Sequence, residues 1–370
     1  MLTADIIRPT ELDAQDRAAW QALRASAEGF RSPLLGPDFA AAVGRVRSDA
    51  SVAVFRRDGR AVGFLAHHRR PGGLARPIGA PFSDYHALVA EPGLDGAEAL
   101  RLAGIREFRF SGLLDPHGSF GPADPETSYA VEVARGLSGG ADHMEQLRSG
   151  SPKRFKNVRR LDHKLEREVG ALRLIAPDTS EQRFAQLFAW KSAQFTESGL
   201  TDVFAAPWAQ ALMRDLLAHP EGELSGLMIT LMAGEQPVAI HFGVREGERY
   251  HPWAAAHDEA LSAYSPGQLF LWRAIEAMPH LGLSWYDLAG GHDHYKLPFA
   301  NRTVEVSSGA AGSRRTPWSL VEGAMGEPGR RLRRRIDQIA SVELTLAGRA
   351  RALAGALAAG PRRAAARTGG

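Results

Sequence analysis

The stretches "VAVFRRDGRAVGFLAHH" (residues 52–68) and "LMITLMAGEQPVAIHFGV" (residues 227–244) decide how this chain is read. In each, apolar and polar residues alternate on both sides of a turn pair, Asp58-Gly59 in the first and Gly234-Glu235 in the second. Period-two alternation around such a pair predicts a β-hairpin. Val62 corresponds to Val238, an offset of 176 residues. A second pair, "GIREFRFSGLLD" (104–115) and "GLSWYDLAGGHD" (282–293), repeats at nearly the same spacing. Both show a glycine, a strand of equal length, then Gly112 or Gly290, 178 residues apart. Each follows a helical pattern, "GAEALRLA" in one copy and "PGQLFLWRAIEAM" in the other. Two matches at nearly one offset predict a duplicated module running helices, antiparallel hairpin, helix, strand. The expected fold is α/β (α+β): tandem modules at residues 1–150 and 151–312 with mixed, mostly antiparallel sheets, then a basic helical or disordered tail at 313–370.

Composition sets the frame. The chain has 370 residues, 44% hydrophobic and 24% charged, enough for two domains with cores of their own. It has no cysteine, which excludes disulfides, thiolate metal sites and a cysteine nucleophile. The start, "MLTADIIRPTELD", lacks a basic segment followed by an apolar run, and no stretch approaches 18 apolar residues. A cytoplasmic location is therefore expected. The net charge of +3 is uneven. Residues 327–370 hold ten arginines and three acids, a charge of +7, which leaves −4 for the rest. Such a tail suits an anionic partner or surface.

Between the copies, "SPKRFKNVRRLDHKLEREV" places Phe155, Val158, Leu161, Leu165 and Val169 at helical spacing. Ser151 is the expected cap, with Pro152 at the first position. Lys153, Arg154, Lys156, Arg159, Arg160, Lys164 and Arg167 cover much of the remainder, as a solvated face or a phosphate-holding one. Further helices are expected at 180–197 and 207–218. In the tail, Leu332, Ile336, Ile339, Leu346, Leu353 and Leu357 share a helical face that Glu343 interrupts, opposite Arg330, Arg331, Arg334 and Arg335. A basic amphipathic helix lies on an anionic membrane, docks on a partner or packs on the body.

Three pieces carry a resemblance: the basic helix "SPKRFKNVRR", the helix start "YSPGQLFLWRAI", and "YDLAGGHDHYKLPF" with Asp287, Gly290, Gly291, Tyr295 and Lys296. "FSDYHALV" (82–89) adds an Asp-Tyr pair, Asp84 and Tyr85. Over roughly residues 30–312 the chain resembles acyltransferases with tandem N-acetyltransferase-like (GNAT) folds. Among these it is similar to the FemAB-type group and its relatives in cellulose and exopolysaccharide biosynthesis, holdfast polysaccharide N-acetyltransferases included. The resemblance implies acyl transfer, with acetyl-CoA or another acyl-CoA as donor in the polysaccharide relatives and aminoacyl-tRNA in FemAB-type members. It also implies that cyclic di-GMP could act as an effector through Arg330, Arg331, Arg334 and Arg335. The chain departs from ordinary GNAT enzymes at the coenzyme A pyrophosphate loop. There it reads "AAHDEALSAYSPGQ", with Gly267 but not the other glycines. Ser265 as cap, Gly267 and Gln268 still form a helix start, where free N–H groups and the dipole favour an anion.

Acyl transfer to an amine needs a proton acceptor, donors for the oxyanion and a positive neighbour for the leaving sulfur. Lys296 would supply the charge and Tyr295 a hydrogen bond. Asp84, Asp287 or Asp293 would accept or orient the proton, with Asp84 preferred because the resemblance places its segment between the halves. Tyr85, Lys153, Arg154, Arg159, Trp253 and His257 are candidate substrate contacts, and core packing is an equal reading for Trp253 and His257. Asp287 could simply accept a backbone N–H at its strand end, and Lys296 could be a surface lysine. His67 and His68 are expected on the outer hairpin. His292 and His294 lack a third ligand, so no metal is expected. Motifs of other enzyme classes are absent. The reading is an N-acyltransferase acting on an amino sugar of a polysaccharide or lipid-linked precursor, cytoplasmic or peripheral to a membrane. Two alternatives stay open: an aminoacyl-tRNA-dependent transferase on a peptidoglycan precursor, the one case that brings in nucleic acid, and a non-catalytic nucleotide sensor or scaffold.

Overall fold

Asp58 and Gly59 both take positive φ, 52° and 82°, the mirror-image turn whose twist suits a two-residue hairpin. The computed structural model that contains it describes residues 1–121, 123–198, 202–219, 223–290, 296–312, 336, 339, 342 and 343. In the first half, β1 (Leu2–Ile7), α1 (Ala14–Ala25) and α2 (Pro37–Val46) precede the hairpin of β2 (Ala50–Arg57) and β3 (Arg60–Arg70). Next come β4 (Leu74–Pro77), β5 (Val89–Ala90), α3 (Gly96–Leu102), β6 (Glu107–Leu113) and β7 (Asp124–Glu132). Two helices, α4 (Gly139–Gly150) and α5 (Pro152–Glu168), lead to β8 (Leu172–Ile175), α6 (Glu181–Ser198) and α7 (Pro207–Leu217). The second hairpin, β9 (Leu224–Ala233) and β10 (Gln236–Glu246), is followed by β11 (Arg249–His257), α8 (Pro266–Ala277), β12 (Trp285–Gly290) and β13 (Arg302–Ala311).

The duplication is visible in the pairing. All these strands join one sheet, ordered β1-β2-β3-β4-β6-β13-β7-β12-β11-β10-β9-β8, with β5 beside β3. The order is symmetric about its centre. In both halves the hairpin leads to a strand that pairs in parallel with the strand after the helix, at only two positions. These are Leu74↔Glu107 and Ala75↔Phe108 in one half, Arg249↔Trp285 and Tyr250↔Tyr286 in the other. The other paired strands run antiparallel. The last strand of each half is exchanged: β7 pairs with β12, and β13 pairs with β6. The two exchanged strands also pair with each other from Arg302↔Ala130 to Ser308↔Asp124.

Three cores follow. One face carries α1, α2, α6 and α7 over a cluster shared by both halves, from Trp20 and Phe39 to Leu212 and Phe242. The opposite face is covered by α3 in the first half and by α4, α5 and α8 in the second. In α5 the stripe is as expected: Phe155, Val158, Leu161 and Leu165 are buried and the basic residues face outward. Across the seam, Phe82 meets Phe204 and Trp208 edge-on at 5.0 and 5.5 Å, and Phe39 meets Trp253 at 5.7 Å. Each fully buried aromatic contributes about 1.5–3 kcal/mol by area alone. Arg24 forks onto Glu246 at 2.9 and 2.5 Å, with the arginine nearly excluded from solvent.

Two local expectations are corrected. Ser151 makes no side-chain cap, because it is both the end of α4 and the start of α5 and its N–H is drawn to Leu147 O at 2.9 Å. His67 and His68 are buried, not on an outer edge, because β4 pairs alongside β3. His68 Nε2 accepts from Gly79 N at 3.0 Å, and His68 Nδ1 faces Asp49 at 3.1 Å. In the tail, Ile336, Ile339 and Val342 are helical, and Ile339 and Val342 are buried. Trp208 Nε1 donates to Val342 O at 3.2 Å. The arginines 330, 331, 334 and 335 lie outside the described residues.

Because β13 and half of the shared core come from the second half, residues 1–150 expressed alone are expected to unfold without cooperativity. Urea titration followed by circular dichroism checks this; a sigmoidal transition matching that of the full chain would contradict it.

Candidate functional site

The parallel pairing of β11 with β12 stops at Tyr250↔Tyr286. The first residues beyond the last pair are His251 and Asp287, at the apex of a V where the strands part. His251 Nδ1 stands 3.6 Å from Asp287 Oδ2, and His251 Nε2 is 2.8 Å from Asp84 Oδ2, reaching in from the first half. The histidine side chain is 1% exposed and Asp287 4%, whereas Asp84 is 42% exposed. Asp287 is thus nearly excluded from solvent, whereas Asp84 is partly exposed.

Neighbours fix this arrangement. Asp287 Oδ1 accepts from Ala289 N at 2.7 Å, so the expected strand-end bond is present alongside the site geometry. The Tyr85 hydroxyl lies 3.0 Å from Asp287 Oδ1 and 2.6 Å from Ser128 Oγ. With one proton to give, the phenol donates to the carboxylate and accepts from the serine. Burial, then the charge of Asp287, pushes the Tyr85 phenol far up, so it stays protonated. Burial is the largest influence on His251 and opposes its charge. The charge of Asp287 and contacts with both carboxylates outweigh it, and the pKa is raised to about 10. The group is an imidazolium clamped between two aspartates at neutral pH.

Gly112 seats the Asp84 loop. Its φ is +94°, and a Cβ there would lie 1.9 Å from the Asp84 carbonyl oxygen. His86 N donates to Gly112 O at 3.1 Å, and Leu114 N donates to His86 O at 2.8 Å, which ties the loop to the end of β6.

A cavity of about 530 Å³ opens beside the V, lined by Tyr85, His251 and Asp287. It also holds Glu28, Asp115, Glu132 and Glu305 against two arginines, Arg249 and Arg302. The excess of carboxylates suits a cationic amine. Through Glu28, Glu132, Arg249 and Arg302 it joins a larger groove of about 1440 Å³. Arginine and glutamate alternate there in pairs: Arg24–Glu246, Arg135–Glu248, Arg249–Glu28 and Arg302–Glu132.

The predicted residues divide. Asp84, Tyr85 and Asp287 come together. Lys296 stands near β10: its charge reaches His241, which stacks on Phe270 at 3.6 Å and bonds the Tyr286 hydroxyl at 3.1 Å. Burial, with the charges of Lys296, Lys191 and His257, holds His241 well below its ordinary pKa, hence neutral. Trp253 packs into the shared core against Phe39 and Phe242, and His257 lies partly exposed 3.7 Å from Glu259. Lys153, Arg154 and Arg159 sit on the exposed face of α5. Tyr295, His292, Asp293 and His294 lie outside the described residues. Ser265 heads α8 but does not cap it, because its φ of 55° turns the side chain away from the helix end. Instead its carbonyl accepts from Gln268 N and Leu269 N, at 3.0 and 3.2 Å. Sequence reading missed His251, which shares its segment, "YHPWAAAH", with the two residues it did single out. Only the end of pairing with β12 marks it.

Residues 152–297 match a family model described as an acetyltransferase (GNAT) domain. Among solved structures, FemX superposes with a TM-score of 0.50 at 10% identity, over 83% of this chain and 96% of that one. A tandem GNAT protein from the clavulanic acid biosynthesis pathway gives 0.47 at 11%, over 85% and 100%. A conserved protein of unknown function from Bacteroides thetaiotaomicron gives 0.48 at 12%, over 81% and 98%. No curated protein matches the chain. The duplication is the one the repeat predicted, and the architecture is the tandem GNAT-like fold that the resemblance implied.

Gly112→Ala is expected to cost about 1–3 kcal/mol and to shift the Asp84 loop. Denaturant titration gives the first, and loss of the Asp84–His251 contact in a crystal structure the second. The histidines also set a pH profile. The folded pKa of His251, about 10, exceeds the ordinary 6.5, so its contribution is full below 6.5 and is lost as pH rises through 10. His67, His68 and His86 are held near 4 by burial above all, so the folded state loses stability as pH falls from 6.5 toward 4. The melting temperature should peak near neutrality. From pH 7 to 9 stability should fall by at most about 1.4 kcal/mol per pH unit, and His251→Gln should flatten that limb.

Proposed function

We propose that this protein is an N-acyltransferase that moves an acetyl or other acyl group from coenzyme A to an amino sugar of an exopolysaccharide or envelope precursor. The observation that carries the reading is the Asp84–His251–Asp287 bridge at the apex of the V, of which His251 and Asp287 line a carboxylate-rich cavity. The GNAT match over residues 152–297 supports acyl transfer as the reaction class.

The acceptor enters as an ammonium and rests among the carboxylates of the cavity. His251, as imidazolium, fixes one oxygen of Asp84, and the other oxygen takes the proton the amine must lose before attack. Asp287 holds the imidazolium, and Tyr85 and Ser128 hold Asp287, so the proton acceptor keeps one orientation. Lys296 supplies positive charge on the β10 side, where acyl oxygen and leaving sulfur gather negative charge. Tyr295, next to it in sequence, is assigned the hydrogen bond to that oxygen. The paired arginines of the adjoining groove can exchange partners to hold the phosphates of a nucleotide- or lipid-linked sugar.

Coenzyme A would supply the activated thioester carbon. Residues at the start of α8 fit one of its phosphates: among the described residues the Gly267 N–H donates to no backbone carbonyl, and the Lys164 ammonium stands over the Tyr264 ring at 5.0 Å. Gln268 adds a side-chain amide. This hold is slimmer than a glycine-rich loop. Together with the exposed Lys153, Arg154 and Arg159, it favours an aminoacyl-tRNA donor as the second reading. Placement near a membrane, through a lipid-linked acceptor, belongs to the same proposal, as does cyclic di-GMP on Arg330, Arg331, Arg334 and Arg335. No described helix is long and apolar enough to cross a membrane.

The chain has no cysteine, so a thiol reagent sees only released coenzyme A. Acetyl-CoA with glucosamine-containing acceptors should release thiol, and Asp84→Asn should lower kcat about 100-fold or more with an unchanged circular dichroism spectrum. If no acyl-CoA releases thiol with any amino sugar while charged tRNA transfers its aminoacyl group, the donor assignment is wrong. Full activity of Asp84→Asn removes Asp84 from the mechanism.

A further inference from the structure

A separate cavity of about 460 Å³ lies at the far end of the first half's strands. Its charged lining is Arg69, Arg70 and Arg106, beside His67, Gly72 and Gly73, with no carboxylate. The contrast with the groove above is in the pairing. Arg70 Nη1 donates to Asp49 Oδ2 at 2.8 Å, and Asp49 also binds Arg47 and His68. Arg69 and Arg106 are exposed and have no ion-pair partner among the described residues. His67 is buried and neutral.

The backbone brings these two residues to the same turn. Arg69 is the next-to-last residue of β3, which leads into the turn at Pro71–Gly73, and Arg106 N donates to Gly73 O at 2.8 Å. Gly73 has φ +77°, and a Cβ there would lie 2.9 Å from Arg106 Cγ, so glycine lets the Arg106 stem lie against the turn. Two unpaired guanidiniums beside an acid-free cavity repel one another unless an anion sits between them, and their planar forks match phosphate oxygens.

We propose that this cavity binds a phosphate-bearing anion, a phosphate ester or diphosphate, with Arg69 and Arg106 as its principal contacts. The site is remote from acyl transfer. Gly112, which seats Asp84, lies six residues beyond Arg106 along β6, roughly 20 Å at strand spacing. The anion comes either from a free phosphorylated metabolite or from a phospholipid headgroup at a membrane surface. The site stands whether or not the acyl-transfer reading does.

The test uses the full chain with saturating coenzyme A, so that any donor site is filled. Inorganic pyrophosphate is titrated by calorimetry, and flotation is measured with phosphatidylglycerol and with phosphatidylcholine vesicles. Saturable pyrophosphate binding that weakens at least tenfold in Arg69→Ala/Arg106→Ala, with unchanged melting temperature, supports the site with a soluble ligand. Flotation specific to phosphatidylglycerol and lost in the same variant supports it with a lipid headgroup. Arg106→Glu, which reverses one charge, should abolish whichever is seen. Absence of both signals, or both unchanged in the double variant, overturns the proposal.

Discussion

The exchange of β7 and β13 is the constraint on which the rest of the molecule depends. A strand interior to a sheet needs hydrogen-bonding partners on both sides. Here each half receives its missing partner from the other, and the exchanged strands also pair with each other. Two modules become one sheet whose centre is the seam. The helices on one face then share a single core, and Arg24 and Glu246 meet across the seam with little solvent to weaken them. The seam thus holds a site assembled from both halves.

On that seam the chemistry follows from where pairing stops. Beyond Tyr250 and Tyr286 the parting strands keep their outer partners but no longer pair with each other. His251 and Asp287 occupy those positions, and Asp84 reaches them because Gly112 lets its carbonyl approach β6. An imidazolium between two carboxylates would be costly in a dry core if either partner were missing. Its two flanking aspartates come from different halves, so the histidine also marks correct assembly of the seam.

Arginine has two roles in this protein. Around the cleft it comes in pairs with glutamate, which keeps the local charge near balance and leaves contacts that a substrate can exchange. Beside the turn after β3, Arg69 and Arg106 have no such counterpart among the described residues. The difference is one of acids, not of arginines, and neither the number nor the spacing of arginines in sequence displays it.

The sequence by itself determined the duplication, because a turn pair between two strand-forming runs, at Asp58-Gly59 and again at Gly234-Glu235, has a local physical cause, a tight turn between neighbouring strands. The same holds for the stripe of α5, where Phe155, Val158, Leu161 and Leu165 read directly as burial. Asp84 and Asp287 were reached through resemblance, with Tyr85 beside them. Only the tertiary structure decided that β7 and β13 change places, that His67 and His68 are interior, and that His251 joins the two aspartates. These depend on which strand lies alongside, and strand partners distant in the chain leave no period in the residues themselves. His251 lies 167 positions from Asp84, and no local pattern of hydrophobicity or charge spans such a separation.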